Sequence, residues 1–353
     1  AGAVAPLIGA HADATGRRKA FLLLLTAISC LLTASLALVG PGDIILGMLA
    51  FIGAHAAFLL AKALYDSYLP VLTNRGSLSL LSGLGWGLGY LGSLFCYLLC
   101  LPFVAGGSED SDPARFSLAF LVTGVFFAVV GLTSSHFMPA DSLRRPGDDM
   151  TDAYRRVRKT VVEWRQNKPV LTFLIAYYLI NDAIVTVLFF IGIFFKSTFG
   201  LQVNEILKLT LLFYAVGVPA TIAFGWLGRV WSERGALAVT LAIWLVLIGI
   251  MTVGDGAAIP VIVAVGAGLV IGSSQALCRS IYASMIPVER SSEFFGFNAL
   301  VGRASAALGP LTFGLVSAAT GSQRIAMASL ALFIIAGGYL LLLQYRRDGR
   351  VAA

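Results

Sequence analysis

Charge is scarce in this chain. Of 353 residues only 12% are Asp, Glu, Lys or Arg, and the mean hydropathy is +0.87. A soluble domain carries about 25% charged residues, so the low charge excludes a soluble globular protein. Histidine is scarcer still, with only His11, His55 and His136. No H-E-x-x-H, G-x-x-x-x-G-K-[ST] or G-x-S-x-G occurs. The sequence therefore offers no zinc-hydrolase site, phosphate loop or nucleophile elbow. The expectation is no enzyme, no cofactor, no metal and no ATP-driven pump. The four cysteines (Cys30, Cys96, Cys100, Cys278) fall in apolar segments without a Cys/His ligand set and read as buried thiols. A signal peptide is lacking too. "AGAVAPLI" has neither a basic leader nor an initiator methionine, so the chain reads as N-terminally truncated, starting inside a transmembrane helix.

Long apolar runs fill the rest. Each needs about 20 residues to cross a hydrocarbon core of about 30 Å. Ten full spans are expected, near 20–40, 44–65, 80–102, 116–137, 168–192, 206–227, 235–254, 258–278, 295–318 and 322–344. The fold class is all-α, a polytopic transmembrane bundle. A polar stretch at 138–167 divides it into an N-terminal bundle (1–137) and a C-terminal bundle with a short basic tail (168–353). With 10–19 on the cytoplasmic side, 19 of the 25 Lys/Arg fall in cytoplasmic segments, among them 228–235 and 279–294. That bias obeys the positive-inside rule and explains the basic balance without nucleic acid. In the divider, "TDAYRRVRKTVVEWRQ" (151–166) sets Tyr154, Val157, Val161 and Trp164 on one stripe among five cations. An amphipathic helix on anionic lipid headgroups is expected.

"SGLGWGLGYLGS" (82–93) matches a dinucleotide fingerprint at Gly87, Gly89 and Gly92, with Asp110 and Asp112 about twenty residues on. A Rossmann loop needs a strand before it and a soluble βαβ context, whereas this stretch lies inside one apolar span. Its glycines read instead as a helix-packing stripe of Gly85, Gly89 and Gly92, widened by Gly83 and Gly87.

"GAHADATGRRK" (9–19) joins an acid at a helix end to a tight turn and three cations, which suits a clamp that forms in one conformation and releases in another. Its residues are Gly9, Asp13, Gly16, Arg17, Arg18 and Lys19. The pattern resembles the major facilitator superfamily. "YDSYLP" (65–70), "LSGLGWGLGYLGS" (81–93) and "GSSQALCRSIYASMIPVERSSEFFGFNALVGRASAALGPLTFG" (272–314) narrow the resemblance to its vacuole effluxer-like family of fungal amino-acid effluxers and bacterial relatives. The resemblance implies twelve helices in two six-helix bundles, of which helix one and most of helix two are missing. It also implies a small-molecule substrate, amino acids first, and a location in the bacterial inner membrane or a eukaryotic vacuolar or organelle membrane. In "GWLGRVWSERG" (225–235), the second-half counterpart, Arg229 stands where the acid is expected, so that clamp reads as degenerate.

Ionisable residues within spans cost about 2.5–3.5 kcal/mol to insert, which makes each a functional candidate. Asp182 leads, flanked by Asn181 with Tyr178 and Thr186 one turn away on either side. It reads as a proton-coupling or substrate-amine site, or as a structural anchor. Arg303 suits a substrate carboxylate, a pairing with Glu293, or snorkelling to the surface. His55, Lys62 and Asp66 share a helix face. For Lys62 and Asp66 a local ion pair is the plainer reading, while His55 is a proton-shuttle candidate. Gln275 adds polarity. The expected function is a monomeric secondary transporter working by alternating access, with sugars, peptides and drugs as the alternative substrate classes to amino acids. The competing reading is a non-transporting carrier kept as a scaffold or sensor.

Overall fold

A computed structural model of the chain describes residues 2–40, 42–104, 113–141, 150–162, 168–304 and 307–351. Among the described residues there is no strand. The reason is the solvent these segments are written for. In hydrocarbon every backbone N–H and C=O must be satisfied inside its own segment, which a helix does and an open strand does not.

In chain order the principal helices are α1 (Ala5–Thr15), α2 (Arg18–Ser35), α3 (Ile44–Asp66), α4 (Leu78–Val104), α5 (Pro113–Phe127) and α6 (Met150–Val162). There follow α7 (Lys168–Phe199), α8 (Val203–Val230), α9 (Glu233–Val253), α10 (Ile259–Met285), α11 (Ser291–Ala304), α12 (Leu308–Thr320) and α13 (Gln323–Val351). Local signals set several ends. Gly16 stops α1 with φ 68°, a left-handed conformation cheap only for glycine. A Gln202–Glu205 capping box opens α8, and the Ser232 side chain caps α9 by accepting from the Gly235 amide.

Among the described residues ten segments are long and apolar enough to cross a membrane, matching the ten expected. Several run further than composition suggests: α7 continues to Phe199 and α10 to Met285. Their extra turns carry polar residues that a hydropathy reading trims away. Arg279, assigned to a loop by that reading, therefore lies inside α10. The expected span 295–318 is built from two helices, α11 and α12.

By internal contacts the chain forms two compact units. One comprises Ala1–Val71, Gly92–Val162 and Pro287–Leu300, and the other Leu72–Leu91, Glu163–Ile286 and Val301–Ala353. In the first, α2 packs on α3 and α5, and α6 packs on α1. Its core gathers Ala12, Leu22, Ala61, Leu64 and Tyr68. In the second, α8 and α9 pack on α10, and α7 and α9 pack on α13. Trp244, Tyr282, Phe173 and Phe194 are fully buried there. Outward faces are apolar as well: Leu31 and Leu315 are each 70% exposed. Such surfaces are costly in water and natural against lipid.

Candidate functional site

The first-unit site is built around Asp13, the acid of the expected clamp. Asp13, in the last turn of α1, accepts from Arg18 Nη2 at 2.7 Å through Oδ1 and from the Glu293 backbone amide at 2.9 Å through Oδ2. Glu293 is the third residue of α11, so the carboxylate meets the positive end of a helix dipole. Residues 280 apart are thereby joined within one unit. Burial pushes the Asp13 carboxyl above its usual range, while Arg18, the Ser292 hydroxyl and the Glu293 amide pull it back without cancelling that effect.

Gly9 lets the two helices approach. A Cβ there would lie 2.1 Å from the Ser292 carbonyl oxygen. Gly16 supplies the turn, and Arg18 also donates to the Ser67 carbonyl and lies over the Tyr68 ring. Lys19 donates through Nζ to the His136 carbonyl, and its amide caps onto Asp141 at 2.6 Å. Arg17 is exposed beside this network.

The linker helix α6 joins the clamp. Thr160 is 2% exposed and donates to Glu293 Oε1 at 2.5 Å, and Arg290 pairs with the same carboxylate at 2.9 Å. The expected apolar stripe on this helix faces outward, with Tyr154 61% and Val161 51% exposed, while Ala153 and Thr160 are buried. Trp164 and Arg165 lie outside the described residues, as do Asp110 and Asp112. Lys62 and Asp66 form the local ion pair at 2.6 Å. His55 is exposed on α3, stacked on Phe51 at 6.1 Å and near Phe58.

The second-unit site centres on α7. Asp182 is fully buried, and neither carboxylate oxygen has a hydrogen-bond partner among the described residues. The hydroxyl of Thr186, one turn on, is buried and likewise has no partner among the described residues. Gly309 of α12 closes over both. A Cβ there would lie 2.1 Å from Thr186 Oγ1 and 2.8 Å from Asp182 Oδ1. The Gly309 amide is beside the carboxylate without an aligned hydrogen bond.

Asn181 faces a different group. Its Oδ1 accepts from Gln275 Nε2 at 2.8 Å, and Tyr177 donates to Gln275 Oε1 at 3.3 Å. Asn181 Nδ2 reaches the Gly302 carbonyl at 3.4 Å. Arg303 follows, exposed in the last turn of α11, with no ion-pair partner among the described residues. Glu293, a candidate partner for Arg303 in the sequence, is taken by Arg290. Tyr178, one turn before Asp182, is partly exposed.

Close packing along the glycine stripe of α4 is concentrated at one end. A Cβ at Gly83 would meet the Gly225 Cα at 2.9 Å, and one at Gly87 would meet Ile222 at 2.7 Å. At Gly89 and Gly92 it would meet nothing within 4 Å, and Gly85 is half-buried. Helices that cross at an angle touch only near the crossing point, so spacing alone overstated the length of the stripe.

Two charged residues escaped the sequence reading. Arg279 donates from Nε to Ser82 Oγ at 3.0 Å and from Nη2 to the Ser82 carbonyl at 2.9 Å. Glu233, in the first turn of α9, accepts from the Ser280 hydroxyl and lies beside the side chain and amide of Ser79. A signal for this region was present as a repeat: "KALYDSYLPV" (62–71) returns as "RSIYASMIPV" (279–288). The structure repeats with it, since Ser67 and Ser284 each donate to the carbonyl three residues before.

The chain is similar to solved transporters of the major facilitator fold. The human organic anion transporter MFSD10 superposes with TM-score 0.70 at 16% identity, covering 96% of this chain and 80% of that one. The Escherichia coli fucose:proton symporter FucP superposes with TM-score 0.71 at 13% identity, covering 97% and 86%. In sequence, the MFS-type transporter YxiO of Bacillus subtilis is 24% identical over 95% of this chain and 79% of its own length. Autophagy-related protein 22-1 of Aspergillus niger is 24% identical over 74% of this chain and 46% of its own. The chain thus spans about half the length of the fungal relatives. The fold is that of a multi-pass major facilitator transporter, and a family model matches residues 1–353. The chain belongs to the vacuole effluxer Atg22-like family.

Proposed function

We propose that this protein is a secondary active transporter that exports small solutes, amino acids first among them, by proton-coupled alternating access. One observation carries the coupling: a carboxyl group at mid-span, fully buried, with neither oxygen partnered among the described residues. A bare carboxylate in such a place costs several kcal/mol. With no donor aligned on it, the group is held there by its own proton, which it surrenders when the site opens to water. The close cover of Gly309 and the neighbouring Thr186, without a partner among the described residues, favour this reading over binding of a substrate amine. An amine needs a path that the glycine backbone fills.

Substrate binding falls to the open part of the constellation. Arg303 offers a guanidinium with no described counter-ion, which suits a carboxylate. Asn181, Gln275 and Tyr177 supply neutral donors and acceptors nearby in the chain of hydrogen bonds. The clamp at Asp13 then closes the cytoplasmic side and releases in each cycle. The basic outer face of α6 rests on anionic headgroups.

The test is flux in proteoliposomes containing the full-length protein, driven by an imposed pH gradient and read with labelled amino acids. Asp182→Asn should lower pH-driven flux at least about tenfold while leaving solute exchange at zero gradient. Unchanged pH-driven flux removes Asp182 from the coupling.

A further inference from the structure

The second half lacks an acid at the position equivalent to Asp13, where Arg229 stands exposed at the end of α8. The packing that the acid serves is nevertheless present. Gly225 occupies the place of Gly9, and a Cβ there would lie 2.8 Å from the Ser79 carbonyl oxygen and 2.9 Å from the Gly83 Cα. Gly228 comes within contact of Ser79 as well. In both units a glycine near the end of one helix lies against the first turn of another.

Glu233 supplies the missing charge. It sits four residues beyond Arg229, in the first turn of the next helix rather than the last turn of the preceding one. Its carboxylate lies beside the Ser79 hydroxyl and amide, and Ser79 is the second residue of α4. Asp13 receives the amide of the third residue of α11. Each acid therefore neutralises the N-terminus of a long helix, where unpaired amides and the helix dipole favour an anion. Ser280 completes the contact, and next to it Arg279 holds Ser82. Those residues stand in the second copy of the internal repeat, where Lys62 and Ala63 stand in the first.

We infer that Glu233 is the acid of a second clamp, fastening the start of α4 as Asp13 fastens the start of α11. The substitution at Arg229 relocates the clamp acid rather than abolishing it. The gating role of this clamp rests on the transport reading above, but its existence does not.

Hydrogen exchange measured by mass spectrometry on the full-length protein tests it without any substrate. Glu233→Ala should raise exchange at 78–82 about tenfold, the scale of losing a helix cap, and leave 291–296 unchanged. Asp13→Asn should do the reverse. Glu233→Asp, which keeps the charge, should stay within about twofold of the parent. Unchanged exchange at 78–82 in Glu233→Ala overturns the inference. So does an equal rise in both segments, which would report general loosening, or a Glu233→Asp variant no better protected than the alanine. If the alanine variant does not fold, Ser280→Ala offers the same readout with a smaller expected rise of about threefold, and no rise there overturns the inference. Failure of pH-driven flux, by contrast, bears only on the transport reading.

Discussion

In the first unit the clamp carboxylate is bonded directly to a cation; in the second its direct bond comes from a hydroxyl. Asp13 holds Arg18 at 2.7 Å and takes one helix amide. Glu233 accepts from the Ser280 hydroxyl beside Ser79, with the charge of Arg234, which lies over the Tyr345 ring at 4.2 Å, acting on it more weakly, and Arg279 binds Ser82. An ion pair with little access to water is costly to separate, because either partner left alone is a buried charge. Hydroxyl contacts are individually weaker and rotate to new partners. The same task of neutralising a helix N-terminus is thus done by a stiff device in one unit and a softer one in the other. The second clamp is accordingly expected to yield first when the protein changes state.

The largest expected effect tests the tightness of the two approaches. Gly9→Ala places a methyl 2.1 Å from a backbone oxygen, whereas Gly225→Ala places it 2.8 Å from one. Overpacking costs about 1–3 kcal/mol, so Gly9→Ala is expected near the top of that range and Gly225→Ala near the bottom. Thermal unfolding of the purified variants reads this, and the opposite order would invert the comparison.

A smaller effect is expected at Thr160, which exists only in the first clamp. Thr160→Val keeps the shape and removes the hydroxyl between Glu293 and Arg290, at a cost of about 1 kcal/mol. A neutral substitution would show that the linker helix merely lies against α1.

The smallest effect is in pH. Burial raises the Asp13 carboxyl above 3.8 despite Arg18. A raised acid favours the folded state most below the ordinary value and loses that contribution as pH climbs through the folded value. Stability of the parent relative to Asp13→Asn should therefore decline as pH rises from about 4. A parent that gains on the variant over that range would mean that the ion pair outweighs burial.

Much of this molecule was legible before any coordinates. Ten apolar runs separated by Gly/Pro turns are a one-dimensional property, so span number follows directly from hydropathy. The acid, turn and cations of 9–19 were legible because they are neighbours in sequence. Asp182 stood out because a lone acid in an apolar run has few explanations. Glu233 and Arg279 did not, since each lies near a helix end where hydropathy assigns charge to a loop. The repeat of 62–71 in 279–288, with Tyr, Ser, Pro and Val in the same four positions and Lys62 matched by Arg279, is the signal that marks Arg279.

By itself the sequence determined the class of solvent around each segment, the helical state that solvent imposes, and the chemistry of the first clamp's own residues. Only the tertiary structure decided which helix start Asp13 holds, that Arg290 rather than Arg303 takes Glu293, and that Asp182 lies under Gly309 without a partner among the described residues. The physical reason is range. Hydropathy and turn chemistry act over a few neighbouring residues, whereas a carboxylate on one helix finds its amide on another only after the glycines have let the backbones close.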